Sequence, residues 1–251
     1  MTDLSVNLNK IALLRNSRGG NFPDLVEHAS TCIAAGCQGI TLHPRPDQRH
    51  VRPGDALALA ELLADRENLE LNLEGNPFAE AEQDYPGFIN LVLQTRPDQC
   101  TLVPDSRQQL TSDHGFDLRA DSTALRPIVD RLQEAGIRVS LFMDPDPEQI
   151  ELAAQLGADR IELYTGPFAE AFAQSQEAAA PIYARHVQAA KTAFHAGLGV
   201  NAGHDLNLHN LTMYRQLPHL AEVSIGHALI VDAIALGLTP AVQAYLAALE
   251  V

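Results

Sequence analysis

Short apolar runs rich in β-branched residues alternate with longer amphipathic segments rich in Ala and Leu along the whole chain. The short runs predict eight β-strands, at 4–9, 38–43, 69–74, 99–104, 138–143, 160–165, 199–203 and 222–226. The longer segments have helical periodicity, and the clearest span 23–36, 53–65, 122–136, 147–157 and 228–237. Strands and helices that alternate in this way indicate a parallel sheet built from β/α units.

A recurring unit favours a closed barrel over an open sheet. The stretches AAGCQGITLH, EAGIRVSLFMD, QLGADRIELYTG and HAGLGVNAGH each have the pattern of a helix end, a Gly turn, a strand and a polar residue. Eight units in 251 residues match the usual size of a (β/α)8 barrel, whereas a doubly wound sheet normally needs fewer units. We therefore predict an α/β fold, a (β/α)8 TIM barrel with extra helices, with residues 1–251 in a single domain.

Two segments are longer than a simple barrel requires. The segment 167–198 contains Pro181, so we expect an additional helix before the main one. The segment 75–88 is expected to be a loop followed by an acidic, solvated helix.

Charge and composition exclude several classes of partner. Lys and Arg number 17 against 32 for Asp and Glu, so the formal net charge is −15. This charge repels nucleic acid and anionic lipid, and neither is an expected partner. Any anionic substrate must therefore be bound by a local cluster of donors.

The remaining composition predicts a cytoplasmic protein with reduced thiols. The first residues lack the features of a secretory signal, and no apolar stretch is long enough to span a bilayer. Cys32, Cys37 and Cys100 form no C-x-x-C pair and are expected to be free and buried.

Candidate chemistry collects at the predicted carboxyl ends of the strands, where barrel enzymes build their active sites. The last two strands end in Gly203-His204 and Gly226-His227, where backbone N–H groups often bind phosphate. Arg18 and Arg45 could bind a second anion, since guanidinium matches phosphate geometry. Singly, such a Gly is often only a turn and such an Arg only solvated. Together on one rim, they indicate a state with two phosphate groups bound.

Glu70 is the leading candidate for a proton-transfer group. Alternation along LELNLE places Glu70, Asn72 and Glu74 on the inner side of the barrel and the leucines on the outer side. An enclosed Glu70 could act as general acid or base, while the alternative is a buried Glu paired with an Arg. His43 and His204 are natural proton carriers near neutral pH. Zinc binding is a rival, but the sequence has no compact His-x-His or His-Glu-x-x-His motif, so no metal is expected.

The role of Lys10 is open between two chemistries. It could form a Schiff base, as lysines of barrel aldolases do, or bind phosphate, which is the preferred interpretation. Five further histidines lie on predicted helices and are expected to be surface residues without a role, namely His28, His186, His195, His209 and His219.

Several motifs together resemble the pyridoxine 5'-phosphate synthase family. They are VNLNKIALLRNSRGG, GITLHPRPDQRHVRP, LELNLEG, TLVPDSRQQLTSDHG, RVSLFMDP, GVNAGHDLNLHNL and SIGHALI, in register from about residue 4 to residue 245. The resemblance implies an enzyme that condenses 1-deoxy-D-xylulose 5-phosphate with 3-amino-2-oxopropyl phosphate and releases phosphate and water. It also implies general acid and base catalysis without a metal or redox cofactor, and a homo-octamer of barrels.

The resemblance also implies roles for individual residues. It makes His43 and Glu70 proton acceptors and His204 the proton donor. For the amino ketone phosphate it implies contacts from Asn7, Arg18, Gly226 and His227. For the deoxyxylulose phosphate it implies contacts from Arg45, His50 and Thr111. The polar segment 105–115 is a candidate lid that excludes water.

Three features depart from the family pattern. Asn9 and Lys10 stand where the family has Asp-His, and Asp205 stands where Gly follows the catalytic His. The segment 75–88 is also longer. Asn9 and Lys10 can still hydrogen-bond a sugar phosphate, and Asp205 is expected either at the substrate or as the cap of the helix beginning LNLHNL.

Two other functions compete with this interpretation. One is a different phosphosugar enzyme, either an isomerase or a Schiff-base aldolase that uses Lys10. The other is an inactive barrel that binds a sugar phosphate or serves as a scaffold. Proton carriers at three separate strand ends argue against a scaffold, which has no need of them.

Overall fold

The computed structural model describes residues 2–66 and 68–250. Eight parallel strands close into a barrel, each pairing with the next along the chain and the last with the first. The strands are β1 (Asp3–Asn7), β2 (Gly39–Leu42), β3 (Glu70–Gly75), β4 (Gln99–Leu102), β5 (Arg138–Met143), β6 (Arg160–Tyr164), β7 (Gly199–Gly203) and β8 (Leu220–Ile225). The predicted (β/α)8 barrel is therefore confirmed.

Helices follow the strands and pack around the barrel. They are α1 (Asn9–Asn16), α2 (Leu25–Ala34), α3 (Pro53–Leu63), α4 (Phe88–Thr95), α5 (Leu118–Glu134), α6 (Pro147–Leu156), α7 (Gly166–Gln174), α8 (Gln176–His195), α9 (Leu211–Tyr214), α10 (His227–Leu236) and α11 (Leu238–Leu249). Among these described helices, none is long and apolar enough to cross a membrane.

The extra helix predicted before the main one is α7, but the break is not at the proline. Pro181 lies inside α8, within its first turns. The chain breaks instead at Ser175, whose backbone is extended and whose hydroxyl accepts a hydrogen bond from the backbone N–H of Ala178 at 3.1 Å. A capping side chain therefore sets this boundary.

The acidic helix expected within 75–88 is not formed. Residues 76–87 are turns and irregular backbone, and α4 begins only at Phe88. An antiparallel bridge joins Glu82 to Tyr85, and Gly87 has a φ of 88°, which a continuing helix would not allow. Local turn chemistry thus outweighs the helical propensity of the acidic residues.

The inside of the barrel is polar, whereas its outside is apolar. The outward side chains of β1, such as Leu4 and Val6, are fully buried against the helices. Inside, the Ser5 hydroxyl lies 2.7 Å from the Thr41 hydroxyl, and further polar side chains are buried on β3 to β8. Hydrogen-bonded polar side chains therefore fill the space that bulky apolar side chains occupy in most such barrels.

The three cysteines are free and buried, as predicted. Burial raises the pKa of both Cys32 and Cys37 to about 12. Thiolates are the reactive form of cysteine, so these side chains act as small apolar core groups.

The prediction that His186 is a surface residue is wrong. It is fully buried, its Nδ1 lies 2.8 Å from the Tyr214 hydroxyl, and its ring packs near Phe168. Burial lowers the pKa of His186 to about 4, so the ring is neutral. Helix α7 supplies Phe168, so the extra helix is what covers this face of α8.

Candidate active site

His43, directly after β2, lies between two carboxylates at the carboxyl end of the barrel. Its Nε2 is 3.1 Å from the Asp105 carboxylate, and its Nδ1 is 3.6 Å from the Glu74 carboxylate. All three side chains are largely buried. Burial by itself lowers the pKa of His43, but the hydrogen bonds to Asp105 and Glu74 outweigh it, so the net pKa is raised.

Two asparagine side chains bind the backbone of His43 and Asp105 and hold this arrangement in place. The side-chain oxygen of Asn9 accepts a hydrogen bond from the backbone N–H of His43 at 2.9 Å. The side-chain amide of Asn76 donates to the backbone carbonyl of Asp105 at 2.5 Å. The side-chain oxygen of Asn9 thus anchors the end of β2, and its contact with substrate stays a prediction.

Glu70 lies at the opposite end of the barrel from His43, which corrects its predicted position. It is the first residue of β3, and both of its carboxylate oxygens pair with the guanidinium of Arg138. Alternation placed Glu70 on the inner side, but Glu74 lies four residues further along β3, which is about 13 Å. The alternative of a Glu paired with an Arg is therefore what the structure contains.

Glu162 is a further buried carboxyl group that the sequence analysis did not single out. It lies on β6 with its carboxylate against Gly203, where any Cβ would collide with it. Burial, with the neighbouring charges of Glu74 and Glu222, raises the pKa of Glu162 well above its usual value. The signal was present in RIELYT, because alternation places Glu162 on the inner side, like Glu74.

His204 lies across the mouth from the strand that carries His43. It follows β7, its Nε2 is 2.7 Å from the Thr111 hydroxyl, and its Nδ1 is 2.9 Å from the Asp205 carboxylate. Thr111 belongs to the long segment between β4 and α5, so this segment reaches over the barrel to His204. Asp205 is not a helix cap, because the side chain of Asn207 accepts the backbone N–H groups at the start of that turn.

Arg45 and His50 lie in the segment between β2 and α3. Arg45 is buried and pairs with the Asp105 carboxylate. The ring Nδ1 of His50 accepts the backbone N–H of Val51 at 2.9 Å, so its hydrogen is on Nε2. Burial and the cations around it lower the pKa of His50 to about 3, so the ring is a neutral donor.

The Arg15 side chain anchors the segment between β2 and α3. It is fully buried, and its guanidinium binds both carboxylate oxygens of Asp55, at 2.5 and 2.9 Å. It also donates to the backbone carbonyl of His50 at 3.1 Å. Arg15 therefore helps to fix the backbone of His50, together with the side-chain amide of Asn16, which donates to the same carbonyl at 2.7 Å.

A cavity of 340 Å³ opens beside His43. Arginine side chains line it from two loops, Arg45 and Arg49 after β2 and Arg107 after β4, together with Asp105. The carboxylates of Asp47, Glu80 and Asp105 also line it, so the cavity offers guanidinium hydrogen-bond donors to a small molecule without a net positive charge.

The other phosphate site is predicted at the amino end of α10. Gly226 precedes the helix, and a Cβ there would lie 3.0 Å from the side chain of Asn7. Asn7 in turn lies 3.4 Å from the Glu74 carboxylate, which joins this site to the carboxylates around His43. His227, Lys10 and Arg18 are exposed.

Comparisons with known proteins agree on one family. The model described as pyridoxal phosphate biosynthesis protein PdxJ matches residues 4–251. The pyridoxine 5'-phosphate synthase of Xanthomonas campestris pv. campestris (strain B100) is 55% identical over 247 residues, which cover 98% of this chain and 95% of that protein. The protein of the same name from Xylella fastidiosa (strain 9a5c) is 50% identical over 250 residues, or 99% and 95% of the two chains.

Solved structures show the fold alone. Tryptophan synthase subunit alpha from Legionella pneumophila str. Paris has a TM-score of 0.65 at 14% identity, covering 99% of this chain and 92% of that one. A 4-hydroxy-2-oxoglutarate aldolase structure has a TM-score of 0.59 at 18% identity, covering 98% and 94%. At these identities the barrel is shared, and no activity follows from it.

Proposed function

The chain belongs to the PdxJ family of pyridoxal phosphate biosynthesis proteins, and from this premise we propose how its barrel mouth binds two phosphorylated substrates and closes the pyridine ring. The enzyme is a pyridoxine 5'-phosphate synthase, as its relatives are named. Its substrates are 1-deoxy-D-xylulose 5-phosphate and 3-amino-2-oxopropyl phosphate. The observation that carries the proposal is the placement of His43, held between Asp105 and Glu74, at the same barrel end as His204.

The two phosphates occupy separate sites in this proposal. The amino ketone phosphate binds at the amino end of α10, where Gly226 brings the backbone close and His227, Asn7 and Arg18 add donors. The deoxyxylulose phosphate binds in the cavity beside His43, in contact with Arg45, which lines it. The contacts from His50 and Thr111, which lie outside this lining, come from the family resemblance.

Arg45 is already partly neutralised before substrate arrives. Its partner Asp105 is buried with it, so a bound phosphate shares the guanidinium with that carboxylate. The neutral His50 adds an N–H donor without adding charge. Binding therefore relies on directed hydrogen bonds as well as on positive charge.

The reaction joins the amino nitrogen of one substrate to the ketone carbon of the other, and as a whole it expels two waters and one phosphate as the aromatic ring forms. Each step moves a proton. His43 and Glu74 accept protons, and His204 supplies them to departing or carbonyl oxygens. Burial and the neighbouring charges of Glu74 and Glu222 raise the pKa of Glu162, which favours its neutral form close to these groups. The segment 105–115 closes over the mouth and excludes water during the dehydrations.

Glu70 is not part of this proposal, although the family resemblance implied a proton acceptor there. Its carboxylate is paired with Arg138 at the far end of the barrel, beyond reach of His43. Glu74 takes the role, because it is the β3 carboxylate that touches the catalytic histidine.

A direct assay tests the function. Purified protein is mixed with deoxyxylulose phosphate and freshly generated amino ketone phosphate, and absorbance of the pyridine ring is followed together with released phosphate. We expect one phosphate for each ring formed. Well-folded protein that forms no ring would contradict the proposal.

The alternative of a Schiff-base aldolase that uses Lys10 is not favoured. Lys10 is exposed in the first turn of α1, whereas a Schiff-base lysine needs a desolvated position. Borohydride added with substrate should leave the mass of the protein unchanged, and covalent labelling of Lys10 would support the aldolase.

Asp105→Asn is expected to move the acid limb of the pH profile of kcat/KM to lower pH by about one unit. In the wild type, Asp105 favours protonated His43, so this base is freed only as pH rises through its raised pKa. Removing the charge lowers that pKa, and the base becomes available at lower pH. Initial rates between pH 5 and 9 give the profile.

The matched control is Asp130→Asn, an exposed carboxylate on α5. Its acid limb should coincide with that of the wild type. An acid limb that stays in place in Asp105→Asn would show that His43 is not the base.

The chain also has an apolar face suited to self-association. On α1 and α10, which pack side by side, Leu14 is 62% exposed and Ile234 is 83% exposed. Such a patch is typical of a subunit interface, and the family resemblance implies an octamer. We expect light scattering to give the mass of eight chains, and Ile234→Glu to lower it.

The cytoplasm stays the predicted location of the protein.

A further inference from the structure

Asp205 has a specific contact that its predicted roles do not explain. Its carboxylate accepts a hydrogen bond from Nδ1 of His204 at 2.9 Å, and the other ring nitrogen of His204 faces the Thr111 hydroxyl at 2.7 Å. A carboxylate has only acceptors, so Nδ1 carries a hydrogen in this contact. Nε2 is therefore the ring atom free to exchange a proton with a ligand.

The backbone that brings these groups together is held in an unusual conformation. His204 and Asp205 have φ angles of 84° and 58°, in the left-handed region. Among residues other than Gly, Asp and Asn tolerate this region best. The Thr165 hydroxyl donates to the backbone carbonyls of Gly203, at 2.8 Å, and of His204. The Thr165 hydroxyl therefore fixes the backbone of this turn, and the Asp205 side chain is free to contact the His204 ring.

The surroundings of Asp205 also carry positive charge. The hydrogen bond from His204 lowers the pKa of Asp205 despite partial burial, and the nearby charges of His227 and Lys10 lower it further. Asp205 is thus an anion beside the amino end of α10. A bound phosphate at that helix would be repelled by this carboxylate.

We infer that Asp205 is a positioning residue for proton transfer, which fixes the His204 ring with Nε2 toward the reacting oxygen. The same carboxylate weakens the binding of phosphate at α10. The inference rests on the proposed role of His204 as proton donor. The Thr111 hydroxyl marks the place where a substrate oxygen meets Nε2. Tyr164 on β6 packs edge-on to the ring, with centroids 5.2 Å apart, and limits its other rotations.

Asp205→Asn separates the two effects. Asparagine tolerates the same backbone conformation, but its amide can present N–H to Nδ1 and so select the wrong ring tautomer. We expect kcat to fall by about tenfold or more. KM for the amino ketone phosphate should fall by about two- to fivefold, because a partly exposed like charge is removed. A merely structural role would not lower both constants.

Asp205→Gly is the backbone control. Glycine adopts the left-handed conformation freely, so any loss of activity there comes from the missing carboxylate and not from strain. We expect Asp205→Gly to show the same fall of kcat as Asp205→Asn. Wild-type kcat in Asp205→Gly would overturn the inference.

A double-mutant cycle tests the coupling to His204. Once His204→Gln has removed the ring, adding Asp205→Asn should change kcat by less than about twofold, because the carboxylate then has nothing to position. Multiplicative losses in the double variant would mean that the two residues act separately, against the inference.

A binding measurement keeps this inference separate from the proposed function. Inorganic phosphate titrated by calorimetry into wild type and Asp205→Asn needs no turnover. We expect about two- to fivefold tighter binding to the variant. Equal binding would overturn the phosphate part even if the wild type makes the pyridine ring, whereas a wild type that makes no ring contradicts the proposed function instead.

Discussion

Glu74→Gln is expected to lower kcat by about 10²- to 10⁴-fold, the usual contribution of one general acid or base. Glu74 is the carboxylate nearest Nδ1 of His43, and it also contacts the side chains of Asn7 and Ser224 at 3.4 Å each. Glutamine keeps the shape of this side chain: its single oxygen can still accept from Asn7, and its amide N–H can donate to the Ser224 hydroxyl. It cannot take up a proton, so the loss should fall on turnover and much less on KM.

Steady-state kinetics with each substrate varied in turn measures this effect. Circular dichroism and the unfolding midpoint show whether the variant is folded. If Glu74→Gln keeps wild-type kcat, the carboxylate only supports the mouth, and the proton acceptor must be found elsewhere.

Arg15→Met is expected to lower the free energy of unfolding by about 3 to 5 kcal/mol, because it leaves a largely buried carboxylate without its partner. The side chain of Asp55 is 12% exposed, and it would lose both guanidinium hydrogen bonds. The backbone carbonyl of His50 would lose one of its two donors and keep the side-chain amide of Asn16, at 2.7 Å. Urea unfolding at a fixed protein concentration measures the change.

Two further variants identify the cause. Arg15→Lys keeps the charge but cannot bind both carboxylate oxygens in parallel, so we expect an intermediate loss. Arg15→Met combined with Asp55→Leu removes both charges and should recover much of the stability. A double variant no more stable than Arg15→Met would show that packing of the Arg15 side chain, and not the ion pair, is responsible.

The strands could be predicted because each carries a complete local signal. RVSLFM and GVNAG are bounded by Gly turns and helix ends, and their observed limits are those predicted. The position of His43 at the mouth follows equally from its place after a strand. In a parallel barrel, the end of a strand is itself a location, so no knowledge of packing was needed.

The position of Glu70 could not be predicted from alternation along its strand alone. Alternation determines which side of a strand a residue faces, and Glu70 and Glu74 face the same side. It does not determine the height within the barrel, which follows from the position along the strand: in the predicted strand 69–74, Glu70 is the second residue and Glu74 the last. Glu74 pairs in register with Thr101, near the mouth, whereas Glu70 pairs with Gly39 at the beginning of β2. The partner Arg138 comes from a distant part of the chain, so no local pattern reveals it.

The contact of Thr111 with His204 and the pairing of Asp205 could not be predicted without the fold. Thr111 and His204 are 93 residues apart and meet only because the segment after β4 crosses the mouth. The contact between neighbours His204 and Asp205 depends on two left-handed backbone conformations, which a non-Gly pair rarely adopts. Sequence showed which chemical groups were present, and the backbone determined which of them meet.

The most direct test of the account compares kcat of Glu70→Gln with that of Glu74→Gln in the same ring-forming assay. The account predicts near-wild-type turnover for Glu70→Gln, because a partly exposed ion pair with Arg138 contributes only about 0.2 to 1 kcal/mol to stability. It predicts severe loss for Glu74→Gln. Severe loss in Glu70→Gln together with normal turnover in Glu74→Gln would contradict it and return the catalytic carboxylate to the other end of β3.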